Sequence, residues 1–482
     1  MNIGPRKLIR SILIGSILLS AAGLGVSYAV TATAEPSDYP GIQSSTVGER
    51  DAITVISTDS NSWLGNGSDG PRSEAEVVAV SPNGSLMYAN TTHTRYWDVD
   101  PIENDTDTPT VEFLYSDHHS ESSCPDFGSR EYWRTNDYAN SVSYEEWKQY
   151  VDAHSDADAC TVNGVARADL SNGTTETVYS AYTPGKHSSR WHDGDRINNT
   201  HIAVADIFLD QVMIINTTSD RISWQWNATS EYDRTGTGNS PYTDWTHVND
   251  VDVLEDGRLM ASLRNQDSVV FLDPTKNGSE AMQPNQTLGS LDDYDTLYEQ
   301  HNPDYIPEER GGPAVVVADS ENNRVVEYQR TNGSWTQSWS YTDANLLWPR
   351  DGDRLSNGNT LIADSNGNRV FEVTPEGAVV WSVAVAYPYE AERFPVDGSG
   401  DGQAITTESA TENAGAFEQP VLWIKERISG PVFQAIQYVM PAWVGLLEFG
   451  LLVVVVFSAL LLGLLEAFWR IRPRIANAIS NG

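Results

Sequence analysis

An internal repeat between Trp191 and Trp381 constrains the fold of this chain more than any other feature of its sequence. The segment WHDGDRINNTHIAVADIF, which starts at Trp191, aligns without a gap with PRDGDRLSNGNTLIADSN, which starts at Pro349. Two looser copies start at Thr246 and Gln300. Each copy contains a polar loop, a turn, an apolar strand, a second polar turn and a second strand. Strand-and-turn units that recur at about 50 residues are typical of β-propeller blades.

Two less regular copies precede these four. Residues 75–101 alternate in polarity around a Pro-Asn-Gly turn, and residues 110–115 and 164–182 supply the ends of a second copy. Between those ends, Ser143 followed by Glu146 is a helix-start pattern and predicts a helix inside a long insertion. The sequence therefore predicts an all-β fold, a six-bladed β-propeller.

Apolar segments flank the predicted propeller at both ends. Residues 11–32 follow three basic residues, and residues 442–469 precede three arginines, so both termini are expected in the cytoplasm and the propeller on the extracytoplasmic side of a cell membrane. Ala32-Thr33-Ala34 is also a candidate cleavage site, which leaves signal peptide and anchor as alternatives. The predicted organisation is a signal or anchor segment (1–34), a linker (35–74), the propeller (75–387), a polar tether (388–420), an amphipathic segment at the interface (421–440), a transmembrane helix (441–469) and a cytoplasmic tail (470–482).

The charge of the chain excludes one class of partner. A formal net charge of -37 is incompatible with binding driven by nucleic-acid phosphates. Hydrophobic residues make up 39% of the chain and 15 residues are Trp, so a packed core is expected rather than a disordered acidic protein. An acidic surface with only five Lys suggests a halophilic source, in which molar salt screens the repulsion.

Two further features fit an extracellular propeller. The chain has eleven Asn-x-Ser/Thr sequons, which predict a glycoprotein, although the same residues also form turns. Its only cysteines, Cys124 and Cys160, are expected to form a disulfide in an oxidising compartment.

The candidate site residues are polar residues at the start of successive copies: His192, His247, His301 and Arg350. We expect these to occupy equivalent positions, which in a propeller converge on the central axis. Three imidazoles with an open position can hold a catalytic metal. Imidazoles with a guanidinium can instead bind a sulfate or phosphate group, and a neutral imidazole can act as a nucleophile.

The motifs resemble those of the PAPS-independent arylsulfate sulfotransferases. DWTHVNDVDVLEDGRLMASLRNQDSVV, starting at Asp244, is similar to the family's His-x-Asn loop followed by a strand that ends in Ser-x-Arg, with His247, Asn249 and Arg264 as the matches. His192 matches the family's His-Asp opening. Gln300-His301 resembles the nucleophile loop Gln-His-Thr, although Asn302 replaces the threonine and an insertion lengthens the loop. The resemblance covers roughly residues 77–383.

This resemblance implies a ping-pong transfer without PAPS or another cofactor. His301 would attack the sulfur of an aryl sulfate, and the sulfohistidine would pass the group to a phenolic or glycan hydroxyl. His192, His247 and Arg264 would act with it as catalytic residues, Asn249 and Arg350 would bind substrate, and no metal is implied.

Two other functions remain open from the sequence. The propeller could be a non-catalytic module that binds a surface glycan or a protein. A metal-dependent hydrolase is the least supported, because no His-x-His pair or bridging carboxylate accompanies the histidines.

Overall fold

The structure is a computed structural model. It describes residues 4–32, 52–60, 74–82, 85–102, 109–154, 159–235, 238, 240–343, 346–394, 402–405, 409–412, 434, 440, 444 and 446–480. The chain divides into two compact units. One contains the terminal helices, and the other contains the β-strands.

Over the described residues, the strands form six sheets, which are the six predicted blades of a β-propeller. Numbered in chain order, blade 1 contains β1 (Ile53–Thr58), β2 (Val77–Val80), β3 (Leu86–Asn90) and, from the far end of the propeller, β25 (Pro388–Phe394). Blade 2 contains β4 (Arg95–Ile102), β5 (Thr110–Ser120), β6 (Ala159–Asp169) and β7 (Thr175–Pro184). Blade 3 contains β8 (Trp191–Asp193), β9 (Arg196–Asn198), β10 (His201–Asp206), β11 (Gln211–Asn216) and β12 (Arg221–Asn227).

The remaining blades follow in chain order. Blade 4 contains β13 (Val248–Val253), β14 (Leu259–Leu263), β15 (Ser268–Leu272) and β16 (Leu288–Gly289). Blade 5 contains β17 (His301–Ile306), β18 (Ala314–Asp319), β19 (Arg324–Thr331), β20 (Ser334–Thr342) and the parallel strand β26 (Ser409–Glu412). Blade 6 contains β21 (Pro349–Arg354), β22 (Thr360–Asp364), β23 (Arg369–Val373) and β24 (Val379–Ala384).

Blade 1 closes the ring by combining strands from both ends of the propeller. Strand β25 pairs antiparallel with β1, with Val55 opposite Glu392. The propeller therefore extends beyond the predicted bounds of 75–387, because β1 lies in the predicted linker (35–74) and β25 in the predicted tether (388–420). Pairing the two ends of the propeller in one sheet removes two exposed strand edges.

Buried ion pairs connect neighbouring blades at one repeated position. Arg354 at the end of β21 reaches Glu327 of blade 5 at 2.7 Å, and Arg393 of β25 reaches Glu372 of blade 6 at 2.9 Å. Each guanidinium also lies over a tryptophan ring, with Arg354 4.7 Å from the centroid of Trp339. Buried charges are stable only when paired in this way, so these contacts select one register between adjacent blades.

The insertion in blade 2 is helical and covalently tied. It contains α2 (Arg130–Thr135) and α3 (Tyr144–Ala153). The predicted helix start is confirmed, because the side chain of Ser143 accepts a hydrogen bond from the backbone N–H of Glu146. The predicted disulfide between Cys124 and Cys160 is present and anchors the insertion to β6.

Two helices in the described part of the chain are long and apolar enough to cross a membrane: α1 (Pro5–Ala32) and α4 (Leu446–Ser480). They run antiparallel, since Arg10 pairs with Glu466 near one end and Ser27 donates to Glu448 at 2.8 Å near the other. Helix α4 continues to Ser480, through most of the segment predicted as a tail.

The predicted amphipathic segment (421–440) lies almost wholly outside the described residues. Within it, Gln434 is buried against the propeller, where it donates to Asn323 at 2.9 Å and accepts from Asn366 at 3.0 Å.

Replacing both cysteines, as in Cys124→Ala/Cys160→Ala, should destabilise the propeller by about 4 kcal/mol, because the bridge closes a loop of 36 residues in the unfolded chain. Denaturant unfolding of the full chain in detergent, with and without reductant, measures this. An unfolding midpoint that neither the substitution nor the reductant lowers would contradict the assignment of a stabilising role.

Candidate functional site

The inner strands of the six blades bring equivalent residues to one axis in three successive layers. The first layer contains Trp97, His192, Asn249, His301, Arg350 and Tyr389; the second contains Asp98, Asp193, Asp250, Asn302, Asp351 and Glu390; the third contains Asp100, Asp195, Asp252, Asp304, Asp353 and Glu392. In every blade, the hydrogen-bonded pairing between the inner strand and the next strand is irregular near the residues of the first and second layers. Such irregularities re-aim side chains, which is how consecutive residues can contribute to the same channel.

The predicted histidines meet around Tyr389, with His192 and His301 in the first layer and His247 two residues before Asn249. The ring centroids of His192 and His247 lie 5.5 Å apart. Tyr389 lies 5.0 Å from His192 and 6.0 Å from His301, and the guanidinium carbon of Arg350 lies 4.6 Å from its ring. Residues from blades 1, 3, 4, 5 and 6 therefore meet in one cluster, which we call the imidazole site.

His301 is held in one tautomer by its surroundings. Its Nδ1 lies 3.1 Å from the carbonyl oxygen of Glu299, which can only accept a hydrogen bond, so Nδ1 carries the proton. The same nitrogen lies 2.8 Å from the hydroxyl oxygen of Ser320, whose own proton goes to the carbonyl of Pro349 at 2.7 Å. Nε2 of His301 consequently keeps its lone pair.

His247 occupies a different position from the one predicted. The sheet register aligns Asn249, and not His247, with His192 and Arg350, so the expected equivalence is wrong by two residues for this histidine. His247 enters the imidazole site through a left-handed backbone conformation, with φ of +50°. Asp244 accepts a hydrogen bond from its Nδ1 at 2.5 Å and orients the ring.

Glu299, Trp348 and Tyr387 also have positive φ, and each lies two residues before a first-layer residue, as His247 does. A left-handed residue therefore recurs at this place in blades 1, 4, 5 and 6, whereas Arg95 and Arg190 at the same place in blades 2 and 3 do not have positive φ. It turns the chain into the inner strand and exposes that residue's side chain to the imidazole site in some blades.

His192 is buried between aromatic rings. It stacks on Trp97, with ring centroids 4.9 Å apart and planes inclined by 19°, and its Nδ1 lies 2.8 Å from the hydroxyl of Tyr389. Tyr389 was not predicted as a site residue. The sequence does contain a sign of it. The segment Tyr-Glu-Ala-Glu corresponds to His-Asp-Gly-Asp of blade 3, but it lies in a stretch that is otherwise polar and rich in glycine.

Cationic side chains surround this cluster. Arg264 lies 3.8 Å from Asp244 and 3.7 Å from Glu299, and Arg350 lies over Trp348 at 4.2 Å. Arg190, which sequence reasoning also missed, is equivalent to His247 in the repeat and lies over the ring of Trp97. An anion entering this end of the channel would meet guanidinium groups from three blades.

Asn249 contacts the backbone beside His301. Its Nδ2 donates to the carbonyl of Gln300 at 2.9 Å, and its Oδ1 has no partner among the described residues. This contact fixes the inner strand of blade 5 against blade 4. Asn249 therefore positions His301, and the contact uses one of its two amide hydrogens.

Burial keeps all three imidazoles neutral. Burial, reinforced by the charge of Arg264, lowers the pKa of His247 to about 3. Burial also lowers the pKa of His301 and of His192 well below the ordinary range, assisted by Arg350 and Arg190 respectively. Asp244 stays ionised, since the hydrogen bond from His247 and the charge of Arg264 lower its pKa in spite of its burial. Neutral imidazole is the form that can act as a nucleophile or base.

The second and third layers form two rings of carboxylates that sequence reasoning missed. The signal was present as Asp-x-Asp or its analogue on every inner strand: WDVD, HDGD, NDVD, NPD, RDGD and YEAE. The aspartates noted for their recurrence, Asp206, Asp319 and Asp364, instead accept hydrogen bonds from turns, as in Asp364 with the N–H of Leu347. Burial, with the charge of Asp195, raises the pKa of Asp193 to about 8, and burial, with the charge of Glu112, raises that of Asp195 to about 6.

No protein-family model and no curated protein matches this chain. Among solved structures it is similar to the periplasmic gluconolactonase of Pseudomonas aeruginosa, with 12% identity over 71% of this chain and 98% of that one and a TM-score of 0.42. It is also similar to virginiamycin B lyase from Staphylococcus aureus (10% identity, 74% and 88% covered, TM-score 0.37) and to a protein of unknown function from Bacteroides caccae (7% identity, 72% and 100% covered, TM-score 0.43). Two of these three are enzymes by name, but a likeness this distant carries no argument about activity.

The neutral histidines make stability depend on pH in a defined direction. Because the pKa of His247 is lower in the folded chain than in the unfolded one, the unfolded state binds more protons, and stability is lost as pH falls below about 6.5. For His247 this loss between pH 7 and pH 5 is about 2 kcal/mol.

His247→Asn should remove that contribution, since asparagine tolerates positive φ and does not titrate. Denaturant unfolding at pH 7 and pH 5 measures the difference. If the pH dependence of the variant equals that of the parent chain, the histidine is not buried in its neutral form.

Proposed function

We propose that this protein is a PAPS-independent sulfotransferase that moves a sulfuryl group from an aryl sulfate to a hydroxyl acceptor through a sulfohistidine. The observation that carries the proposal is the state of His301: a buried, neutral imidazole with its proton held on Nδ1 and its Nε2 lone pair available. The motif resemblance names the same residue as the nucleophile. Guanidinium groups around it suit the three charged oxygens of a sulfuryl group.

In the first step, Nε2 of His301 attacks sulfur and forms an N–S bond while the bond between sulfur and the aryl oxygen breaks. The electron pair of that bond leaves on the phenolate. The imidazole becomes positively charged, and Nδ1 keeps its proton, which it donates in hydrogen bonds to the carbonyl of Glu299 and the hydroxyl of Ser320. Arg264 and Arg350 hold the sulfuryl oxygens as their charge is redistributed.

In the second step, an acceptor hydroxyl attacks the same sulfur and the N–S bond breaks, which returns the electron pair to Nε2. The acceptor's proton needs a base, and His192 and His247 are neutral imidazoles beside the reacting centre. Asp244 supports His247 in this role, because a carboxylate on Nδ1 stabilises the imidazolium that forms.

We also place the propeller on the extracytoplasmic side of a membrane. The disulfide supports this placement because such bonds persist in oxidising compartments. The apolar helices α1 and α4 supply the anchor, and the basic residues near both termini favour a cytoplasmic location for those ends. Glycosylation and a halophilic source stay predictions from composition.

An assay with a chromogenic aryl sulfate and a phenol acceptor, using the full chain in detergent and molar KCl, tests the proposal. His301→Ala should lower kcat/KM by about 10³-fold or more, the scale expected when a nucleophile is removed. Arg264→Ala should lower it by about 10²-fold, as for loss of one donor to the transition-state oxygens. Ser320→Ala should shift the balance of tautomers and lower kcat more than it raises KM.

His201→Ala is the matched control, because this histidine bonds to Thr200 and Asn216 within blade 3 and lies outside the imidazole site. It should leave the rate unchanged. Absence of phenol release by the parent chain, or release that His301→Ala and His201→Ala affect equally, would reject the proposal. The same protein capturing a glycan or protein regardless of His301 would favour the non-catalytic alternative.

A further inference from the structure

The carboxylate rings enclose a cavity at the end of the channel beyond the imidazole site. Its volume is about 170 Å³. The second-layer residues are buried, whereas Asp100, Asp195, Asp252 and Asp304 in the third layer are partly exposed, so the cavity opens to solvent through the third ring. The lining is Asp100, Asp193, Asp195, Asp250, Val251, Asp252, Asn302, Pro303, Asp304, Asp351, Asp353, Glu390 and Glu392.

Some of the ring carboxylates have a structural role. Several ring carboxylates accept a hydrogen bond from the backbone of the next blade: Asp193 from Val251 at 2.7 Å, Asp351 from Ala391 at 2.9 Å and Glu390 from Val99 at 3.0 Å. These bonds tie neighbouring inner strands together. A neutral amide or hydroxyl side chain would serve equally, so this role does not account for a nearly uniform ring of acids.

Other polar atoms in the cavity have no such explanation. Asn302 is only 6% exposed, yet neither its Oδ1 nor its Nδ2 has a hydrogen-bond partner among the described residues. Asp250 is also 6% exposed, and its Oδ1 likewise has no hydrogen-bond partner among the described residues. Buried polar atoms without partners cost free energy, which points to a ligand that completes them.

The chemistry of these atoms specifies the ligand. Ligand oxygens of Asp98, Asp100 and Glu390 all lie within 4.8 Å of one another, close enough to share one ion. The cavity lining includes neither histidine nor cysteine, and its donors are carboxylate and amide oxygens. Hard cations prefer oxygen ligands. A flexible site with six to eight oxygens suits Ca²⁺ better than Mg²⁺, which requires a more regular geometry.

We propose that the carboxylate rings are a binding site for hard divalent cations, with Ca²⁺ preferred. The cation neutralises the acidic end of the channel and holds the six inner strands in register. This site is separate from the chemistry at His301, and the proposal stands whether or not the protein transfers sulfuryl groups.

Metal binding to the full chain in detergent is the first test. After dialysis against EDTA and then against buffer, added CaCl₂ should raise Tm by about 5 °C at a concentration near 100 times Kd. Elemental analysis after gel filtration should find retained calcium. MgCl₂ should act more weakly, and KCl alone should not replace CaCl₂. No retained metal and no Tm difference between EDTA and CaCl₂ would overturn the proposal, as would full stabilisation by KCl alone.

Substitutions in the carboxylate rings distinguish the loss of a Ca²⁺ site from a general loss of stability. Without Ca²⁺, Asp98→Asn and Asp250→Asn should have a Tm equal to or above that of the parent chain, because each removes a buried carboxyl group whose charged form its acidic neighbours destabilise. With Ca²⁺, the same variants should gain less Tm than the parent chain. The control Glu176→Gln changes the net charge equally at an exposed strand position and should leave the Ca²⁺ response intact. A Ca²⁺ response that all three variants retain would place the ion elsewhere.

Discussion

The closing of the ring by β1 and β25 is the constraint on which the rest of the structure depends. It brings Tyr389, Glu390 and Glu392 to the axis and so completes all three layers. Without this strand, the imidazole site would lose the side chain that contacts His192, His301 and Arg350, and the acidic rings would have a gap. The inter-blade pairs of Arg354 with Glu327 and Arg393 with Glu372 then hold the blades in the register that keeps the layers level.

The channel places two opposite electrostatic environments side by side. At the imidazole site, burial keeps the histidines neutral while Arg190, Arg264 and Arg350 supply positive charge. One residue further along five of the six inner strands the side chain is acidic, and in blade 5 it is Asn302. An anionic substrate would be repelled by an uncompensated acidic ring, so a bound cation in the rings would favour anion binding above it. The two proposals are thus compatible, although neither requires the other.

The repeat allowed the fold and part of the site to be predicted, and its limits explain the errors. His192 and Arg350 lie at equivalent positions because their copies align without a gap, and His301 takes the same position although its copy is looser. The position of His247 was wrong by two residues, because this copy carries a histidine two residues before the equivalent position, which Asn249 occupies. Tyr389 was missed because ring closure pairs segments about 330 residues apart, and the short segment Tyr-Glu-Ala-Glu is a weak local sign of it. The Asp-x-Asp motifs were visible, but aspartate is also a common turn residue.

The most direct test of the account is peptide mapping by mass spectrometry after the full chain is exposed to an aryl sulfate without an acceptor. The account predicts one sulfuryl group per chain, attached to the peptide that contains His301, and its loss when a phenol is added. An adduct on another residue, or none while phenol is still released, would contradict the central role of His301.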